Sequence, residues 1–243
     1  MSENKPQAII IGASQGIGAE LAREFSARGY AVGLAARSGD RLEALRAELP
    51  GPAFVKVMDI TRTDEAMAAF ESLIEDMGGM HTAVINAGTG LPNRDLAWAP
   101  EKATIDLNVT GFAAMAGVAF RHFVGQGRGR LAGLSSVAAL RGIPGNPAYP
   151  ATKAFVSNYL ECLRLNARQR KLPISVTDLR PGFVDTPLTK GQKGMFWLTP
   201  APVAARHIAD AIERGKSIAY IPPKWRLVAT VLRHLPDSIY SKM

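Results

Sequence analysis

One cysteine, Cys162, in 243 residues excludes an intramolecular disulfide, and the opening Met1-Ser-Glu-Asn-Lys5 lacks the charged-then-apolar pattern of a secretory signal. Both absences point to the cytoplasm. His81, His122, His207 and His234 show no metal-ligand spacing with one another or with Cys162, so no protein-bound metal is expected. No Pro/Gly/Ser-rich linker divides the chain and no long polar or repetitive stretch interrupts it, which favours one folded domain over 1–243. Hydrophobic residues at 47% and charged residues at 21% are ordinary for a globular protein with a large core. Lys and Arg exceed Asp and Glu by 29 to 21, giving a net charge of +8. The basic residues are spread through the chain without a groove-reading motif, so a solvated basic surface is expected and no nucleic-acid partner.

What is present is a rhythm. Apolar runs at Ala8–Ile11, Ala31–Ala35, Phe54–Val57, Ala83–Ile85, Leu131–Leu134, Ile174–Asp178 and Ile218–Ile221 read as strands. Between them, Gly16–Arg28, Asp40–Glu48, Asp64–Met77, Glu101–Val124, Ala151–Arg170 and Pro202–Arg214 carry apolar residues at helical spacing. Strand-helix alternation with right-handed crossovers predicts an α/β fold, a doubly wound parallel sheet of about seven strands of Rossmann type with helices on both faces. The basic cluster Arg168, Arg170 and Lys171 falls at a helix C-terminus, where it complements the dipole.

The first strand runs into the turn Gly12-Ala-Ser14-Gln15-Gly16-Ile17-Gly18 and then a helix. There, backbone N–H groups and the helix dipole can meet a pyrophosphate. Which dinucleotide fits is read at the end of the second strand, Ala35-Ala36-Arg37-Ser38. Ala36 offers no carboxylate to repel a phosphate, and the planar guanidinium of Arg37 suits one, so NADP(H) is the expected cofactor. Asp40, the rival acid, is expected to cap the next helix.

Tyr149 and Lys153 stand four positions apart, with Ser136 thirteen positions ahead of the tyrosine. A four-residue step can put phenol and ammonium on one helix face, where the positive charge would pull the phenol below its usual pKa of about 10. Pro150 disfavours helical backbone at Tyr149, which places the tyrosine in the first turn. With the glycine turn, these residues resemble the short-chain dehydrogenase/reductase family, in its short single-domain branch, from about Lys5 to Pro222. The Gly-x-x-x-Gly-x-Gly spacing is that family's form. Asn108, Ser136, Tyr149 and Lys153 match its catalytic tetrad. The resemblance implies that Tyr149 is the acid-base and that Ser136 hydrogen-bonds the reacting oxygen. It further implies that Lys153 serves both the phenol and the nicotinamide ribose, and that Asn108, inside a helix, holds a proton-relaying water.

Met58-Asp59-Ile60 resembles the adenine-contacting stretch, and Ile85-Asn86-Ala87-Gly88 the Asn-Asn-Ala-Gly motif, with Ile85 replacing its first Asn and free to pack into the sheet. Arg180-Pro181-Gly182-Phe183-Val184-Asp185-Thr186 resembles the segment that holds the nicotinamide carboxamide. Leu188 to Thr199 resembles the substrate lid, hinged by Gly191 and Gly194. Its Met195-Phe196-Trp197-Leu198 either meets an apolar substrate or folds onto the core. Arg141 to Ala148 should form the opposite pocket wall, with no dedicated carboxylate binder. The activity implied is hydride transfer between NADP(H) and a moderately apolar ketone, aldehyde or secondary alcohol, by a homodimer or homotetramer. A regulator that binds NADP(H) without turnover and a membrane-recruited lipid-carbonyl reductase are the alternatives.

The extension 223–243 contains an amphipathic helix from Trp225 to Leu235. Arg226, Thr230, Arg233 and His234 make its polar face; Trp225, Leu227, Val228, Ala229, Val231, Leu232 and Leu235 make the apolar remainder. It is too short to span a bilayer. Two arrangements fit it: packing on this subunit or a neighbour, or weak peripheral contact of 225–235 with an anionic membrane.

Overall fold

Every residue of β1 (Gln7–Ile11) is buried, and its side chains alternate between two cores: Ala8 and Ile10 join one hydrophobic cluster, Ile9 and Ile11 the other. A strand so covered on both faces needs no polar side, which is why it reads as an unbroken apolar run. The computed structural model describes residues 5–191 and 195–240. In it β1 is an interior strand, third from one edge, of a seven-stranded parallel sheet. β2 (Ala31–Ala36) and β3 (Ala53–Val57) extend it on one side. β4 (Thr82–Ile85), β5 (Gly129–Leu134), β6 (Ile174–Pro181) and a last strand at Ile218–Ile221 extend it on the other. A separate two-stranded ribbon pairs β7 (Val184–Asp185) with β8 (Thr199–Pro200); the last sheet strand is therefore β9.

Helices α1 (Gly16–Ala27) and α2 (Gly39–Glu48) cover one face together with α7 (Ala201–Glu213). The other face is covered by α3 (Thr63–Asp76), α5 (Phe112–Gln126) and α6 (Ala148–Gln169). Ile85 is buried in that second core, as its apolar character requires.

Several boundaries differ from expectation. α6 begins at Ala148, three residues before the predicted start, because Pro150 falls in the first turn, where a missing N–H breaks no helical bond. Tyr149 thus sits in that turn. The stretch expected as one helix from Glu101 begins at Trp98 as α4 (Trp98–Ile105), loosens into a π-helical segment at Asp106–Gly111, and continues as α5. By length and composition this 29-residue run could cross a membrane, but half of its most apolar window is buried within the protein. Its apolarity is that of a core helix. α2 is capped at Ser38, not Asp40; Asp40 lies in the first turn, where it complements the dipole.

The C-terminal extension forms α8 (Trp225–His234) and a short α9 (Asp237–Tyr240). α8 turns Trp225 and Ala229 into the protein. Arg141, from the loop after β5, holds the end of α8 by donating to the carbonyl oxygens of Leu232 at 3.1 Å and Leu235 at 2.6 Å. It also pairs with Asp237 and lies 4.6 Å from the centre of the Tyr240 ring.

Candidate active site

The winding direction of the sheet reverses between β1 and β4, and beyond their carboxyl ends lies a cleft of about 300 Å³. Two neighbouring strands whose connections leave in opposite directions open such a crevice. Of the catalytic and cofactor-binding residues expected, Gly18 and Asn108 do not line it; nor do 141–148, expected as a pocket wall, because Arg141 is drawn away to the end of α8, nor Met195–Leu198 of the lid. Gly18 builds the cleft from behind. A Cβ there would stand 2.0 Å from the Gly12 carbonyl oxygen and 2.6 Å from Asn86 Nδ2, so only glycine lets α1 approach the strand ends. Asn86 in turn donates to the Gly12 oxygen at 2.7 Å, tying the turn to β4. The first turn of α1 has no side-chain cap and no acidic residue, so its N–H groups face the cleft without a competing anion. These features fit a dinucleotide pyrophosphate.

At the far end of the cleft Arg37, Ser38 and Arg41 line its wall. Ser38 caps α2 by position but makes no side-chain cap bond, and Arg41 Nη1 donates to Gln15 Oε1 at 2.7 Å. No described carboxylate forms an ion pair with Arg37 or Arg41. Burial works against ionisation of Asp59, yet hydrogen bonds from Thr61 N and Oγ1 and the nearby Arg37 charge hold its carboxyl below the usual range. Ile60 packs under the π segment against Gly111.

Ser136, Tyr149 and Lys153 converge at the other end. Ser136 is held in extended backbone at the start of a 3₁₀ turn, Val137–Leu140, where its Oγ accepts from Ala138 N at 3.0 Å. The same hydroxyl lies near enough to the Tyr149 phenol to favour its ionised form. Lys153 Nζ donates to the Leu134 carbonyl oxygen at 2.8 Å and stands 5.8 Å from the centre of the Tyr149 ring. Burial pushes the phenol up, and Ser136 only partly offsets it. This is opposite to the lowering expected from the lysine. The reason is mutual desolvation: burial also pushes Lys153 down, to about 8, against the opposing pull of Asp178.

Asn108 is tied to its neighbours by its side chain. It lies in the π segment, and its side chain is committed: Oδ1 accepts from Thr89 N at 2.8 Å, while Nδ2 donates to Thr89 O at 2.7 Å and Thr152 Oγ1 at 3.0 Å. Both amide donors are therefore used in clamping the loop after β4 to α6, and the second lone pair of Oδ1 is the side chain's remaining site for a water.

Arg41, Asp178 and Ser135 escaped the sequence reading as participants, and Arg180 entered it only as part of the 180–186 segment. Arg41 carries no signal beyond its helical position. Asp178 and Arg180 form a buried ion pair at 2.7 Å beside Lys153, and Ser135 donates to the same carboxylate. Their i, i+2 spacing on β6 puts them on one face, a signal that matters only once the facing lysine is known. The lid aromatics fold onto the protein: Phe196 stacks on Trp225 with ring centres 5.0 Å apart, and Phe183 and Trp197 meet Trp225 edge-on. Gly194 lies outside the described residues, and Gly191 has a positive φ of 83°.

Comparison with known proteins agrees with this architecture. The family described as short chain dehydrogenase matches residues 6–195. The chain is 34% identical over 239 residues to an uncharacterized oxidoreductase of Myxococcus xanthus, covering 96% of this chain and 94% of that one. It resembles an alcohol dehydrogenase of the archaeon Thermococcus sibiricus, solved with 5-hydroxy-NADP, with a TM-score of 0.77 and 25% identity over 86% of this chain and 91% of that one. A 3-ketoacyl-(acyl-carrier-protein) reductase of Brucella melitensis, solved with NADH, shares the fold with a TM-score of 0.80 and 24% identity, covering 88% and 94%.

Proposed function

The chain belongs to the short-chain dehydrogenase family and is a nicotinamide-dependent oxidoreductase; from that premise we propose that it transfers hydride between NADP(H) and a moderately apolar ketone, aldehyde or secondary alcohol. The observation that carries this reading is the layout of one cleft, with Arg37 and Arg41 at one end and Ser136, Tyr149 and Lys153 at the other. Two guanidiniums without carboxylate partners suit a ribose 2'-phosphate better than a 2'-hydroxyl. When bound, the nicotinamide supplies or accepts the hydride.

The remaining chemistry belongs to the chain. A phenol held above its ordinary pKa is protonated at neutral pH, so Tyr149 can give its proton to a carbonyl oxygen. Ser136 donates to that same oxygen and stabilises its developing charge. Lys153, fixed by Leu134 O, presents its remaining donors toward the ribose side of the cleft. Gly12, Ser14, Gln15, Gly16, Ile17 and Gly18 serve the pyrophosphate, Asp59 and Ile60 the adenine side, Asn86, Ala87 and Gly88 the ribose. Pro181, Gly182, Val184 and Thr186 serve the carboxamide.

We take 1–243 as one catalytic domain with 223–243 its C-terminal extension, cytoplasmic and assembled as a homodimer or homotetramer. The exposed, unpaired Cys162 fits a reducing compartment. The test is steady-state turnover of a panel of apolar ketones and aldehydes with NADPH and with NADH. Reduction with higher kcat/KM for NADPH is expected. Equal kcat/KM for the two cofactors would overturn the cofactor assignment, and cofactor binding without turnover of any carbonyl or alcohol would leave a binding-only regulator.

A further inference from the structure

Acidic residues are missing from two stretches that meet in space. Between Asp185 and Asp210 the chain carries Lys190, Lys193 and Arg206 and no acid; between Glu213 and Asp237 it carries Arg214, Lys216, Lys224, Arg226 and Arg233 and no acid. The first stretch holds the lid and the second holds α8. They join through the contacts of Phe196 and Trp197 with Trp225, and through Lys224 Nζ, 4.7 Å from the centre of the Trp197 indole.

The joined surface is apolar as well as basic. Phe196, Trp197 and Leu198 are each nearly half exposed although they lie on protein, and α8 leaves Leu227 at 70% and Val231 at 60% exposure. Leu227 and Val231 are four residues apart, hence one above the other on the outer face of the helix. Trp225, the residue that the bare sequence offers for membrane insertion, is only 3% exposed and packs inward, so the outward apolar set is a different one. Arg226 and Arg233 are exposed on the same helix, and neither they nor Lys190 and Lys224 form an ion pair among the described residues. The flanking acid Asp237 is engaged by Arg141, which leaves Asp185 as the exposed acid bordering the lid stretch.

We propose that the lid and the outer face of α8 form one surface that docks reversibly on an anionic lipid bilayer. Trp197, Leu227 and Val231 would enter the interfacial layer while Lys224, Arg226 and Arg233 meet the lipid phosphates. A second copy of this chain is the poorer occupant. A two-fold contact through this face sets the same basic patch against itself, where like charges oppose association. A bilayer of negative surface charge satisfies both the apolar and the basic half. The lid adjoins the cleft, since Gly182 and Leu188 line it and Trp225 lies against Gly182. Docking would therefore bring the mouth of the site to the membrane. The proposal does not depend on which carbonyl the enzyme reduces.

The test is co-sedimentation of the full chain with vesicles of phosphatidylcholine alone or mixed with phosphatidylglycerol, at low and moderate salt, alongside sedimentation velocity without lipid. The intact protein should pellet with the anionic vesicles at low salt and less so at moderate salt, as screening demands. Leu227→Asp/Val231→Asp should weaken binding by about tenfold or more, the loss expected when apolar area no longer leaves water. Arg226→Glu/Arg233→Glu should weaken it through charge alone. Both variants should keep the wild-type melting temperature. No pelleting of the intact protein at low salt, or pelleting unchanged in both variants, would overturn the proposal. So would a change of oligomeric size in Leu227→Asp/Val231→Asp, which would make the face a contact between copies. None of these readouts uses turnover, so failure here leaves the reductase assignment untouched.

Discussion

The Trp225 indole lies so close to Gly182 that a Cβ on the glycine would fall 1.9 Å from Cε2. One residue lines the cleft, the other begins the C-terminal helix, and their contact sets the extension directly behind the cleft wall. Gly182→Ala must push the indole away or shift the strand end, an overpacking cost of about 1–3 kcal/mol. A lower melting temperature together with a lower kcat/KM is expected. A variant with wild-type stability and kinetics would show that the contact is not structurally required.

Tyr149→Phe should keep the fold and NADPH binding but lose about 10²-fold or more in kcat, the scale for removing a general acid. The ring packing stays and only the hydroxyl goes. Stopped-flow hydride transfer at the wild-type rate would remove Tyr149 from the chemistry.

Arg37→Ala should weaken NADPH binding by about 10- to 150-fold, the equivalent of one charge-assisted hydrogen bond, and leave NADH nearly unaffected. Arg41→Ala should act in the same direction, with an added loss of order in the glycine turn through Gln15. Titration calorimetry with both cofactors checks this pair; equal losses for NADH and NADPH would assign the arginines to some other task.

Burial pushes Lys153 down to about 8 in the folded protein, against an ordinary 10.5. Between those values the unfolded chain binds more protons than the folded one, so folding stability should rise with pH across that window and level off above it. Lys153→Met should remove this rise and stabilise the cofactor-free protein near pH 7, while weakening cofactor binding and turnover. Melting temperature measured against pH for both proteins is the check, and parallel curves would contradict the assigned titration.

Much of this arrangement was legible in the chain because its causes are local. Runs such as Ala8–Ile11 are apolar because a central parallel strand is covered twice, and the Gly12–Gly18 spacing reports a close approach that admits no side chain. Tyr149 and Lys153 are joined by helical geometry alone. Other features depend on separations no local rule spans. Arg141 meets Leu235 across 94 residues, and Asp178 acquires its bearing on Lys153 only when β6 is laid beside β5. Amphipathicity gave α8 two faces but could not say which would turn inward; the space above Gly182 decided that for Trp225. The direction of the Tyr149 pKa was likewise a tertiary matter. Sequence spacing supplies the charge of Lys153, whereas desolvation is set by everything packed around both groups, and here the surroundings outweigh the neighbour.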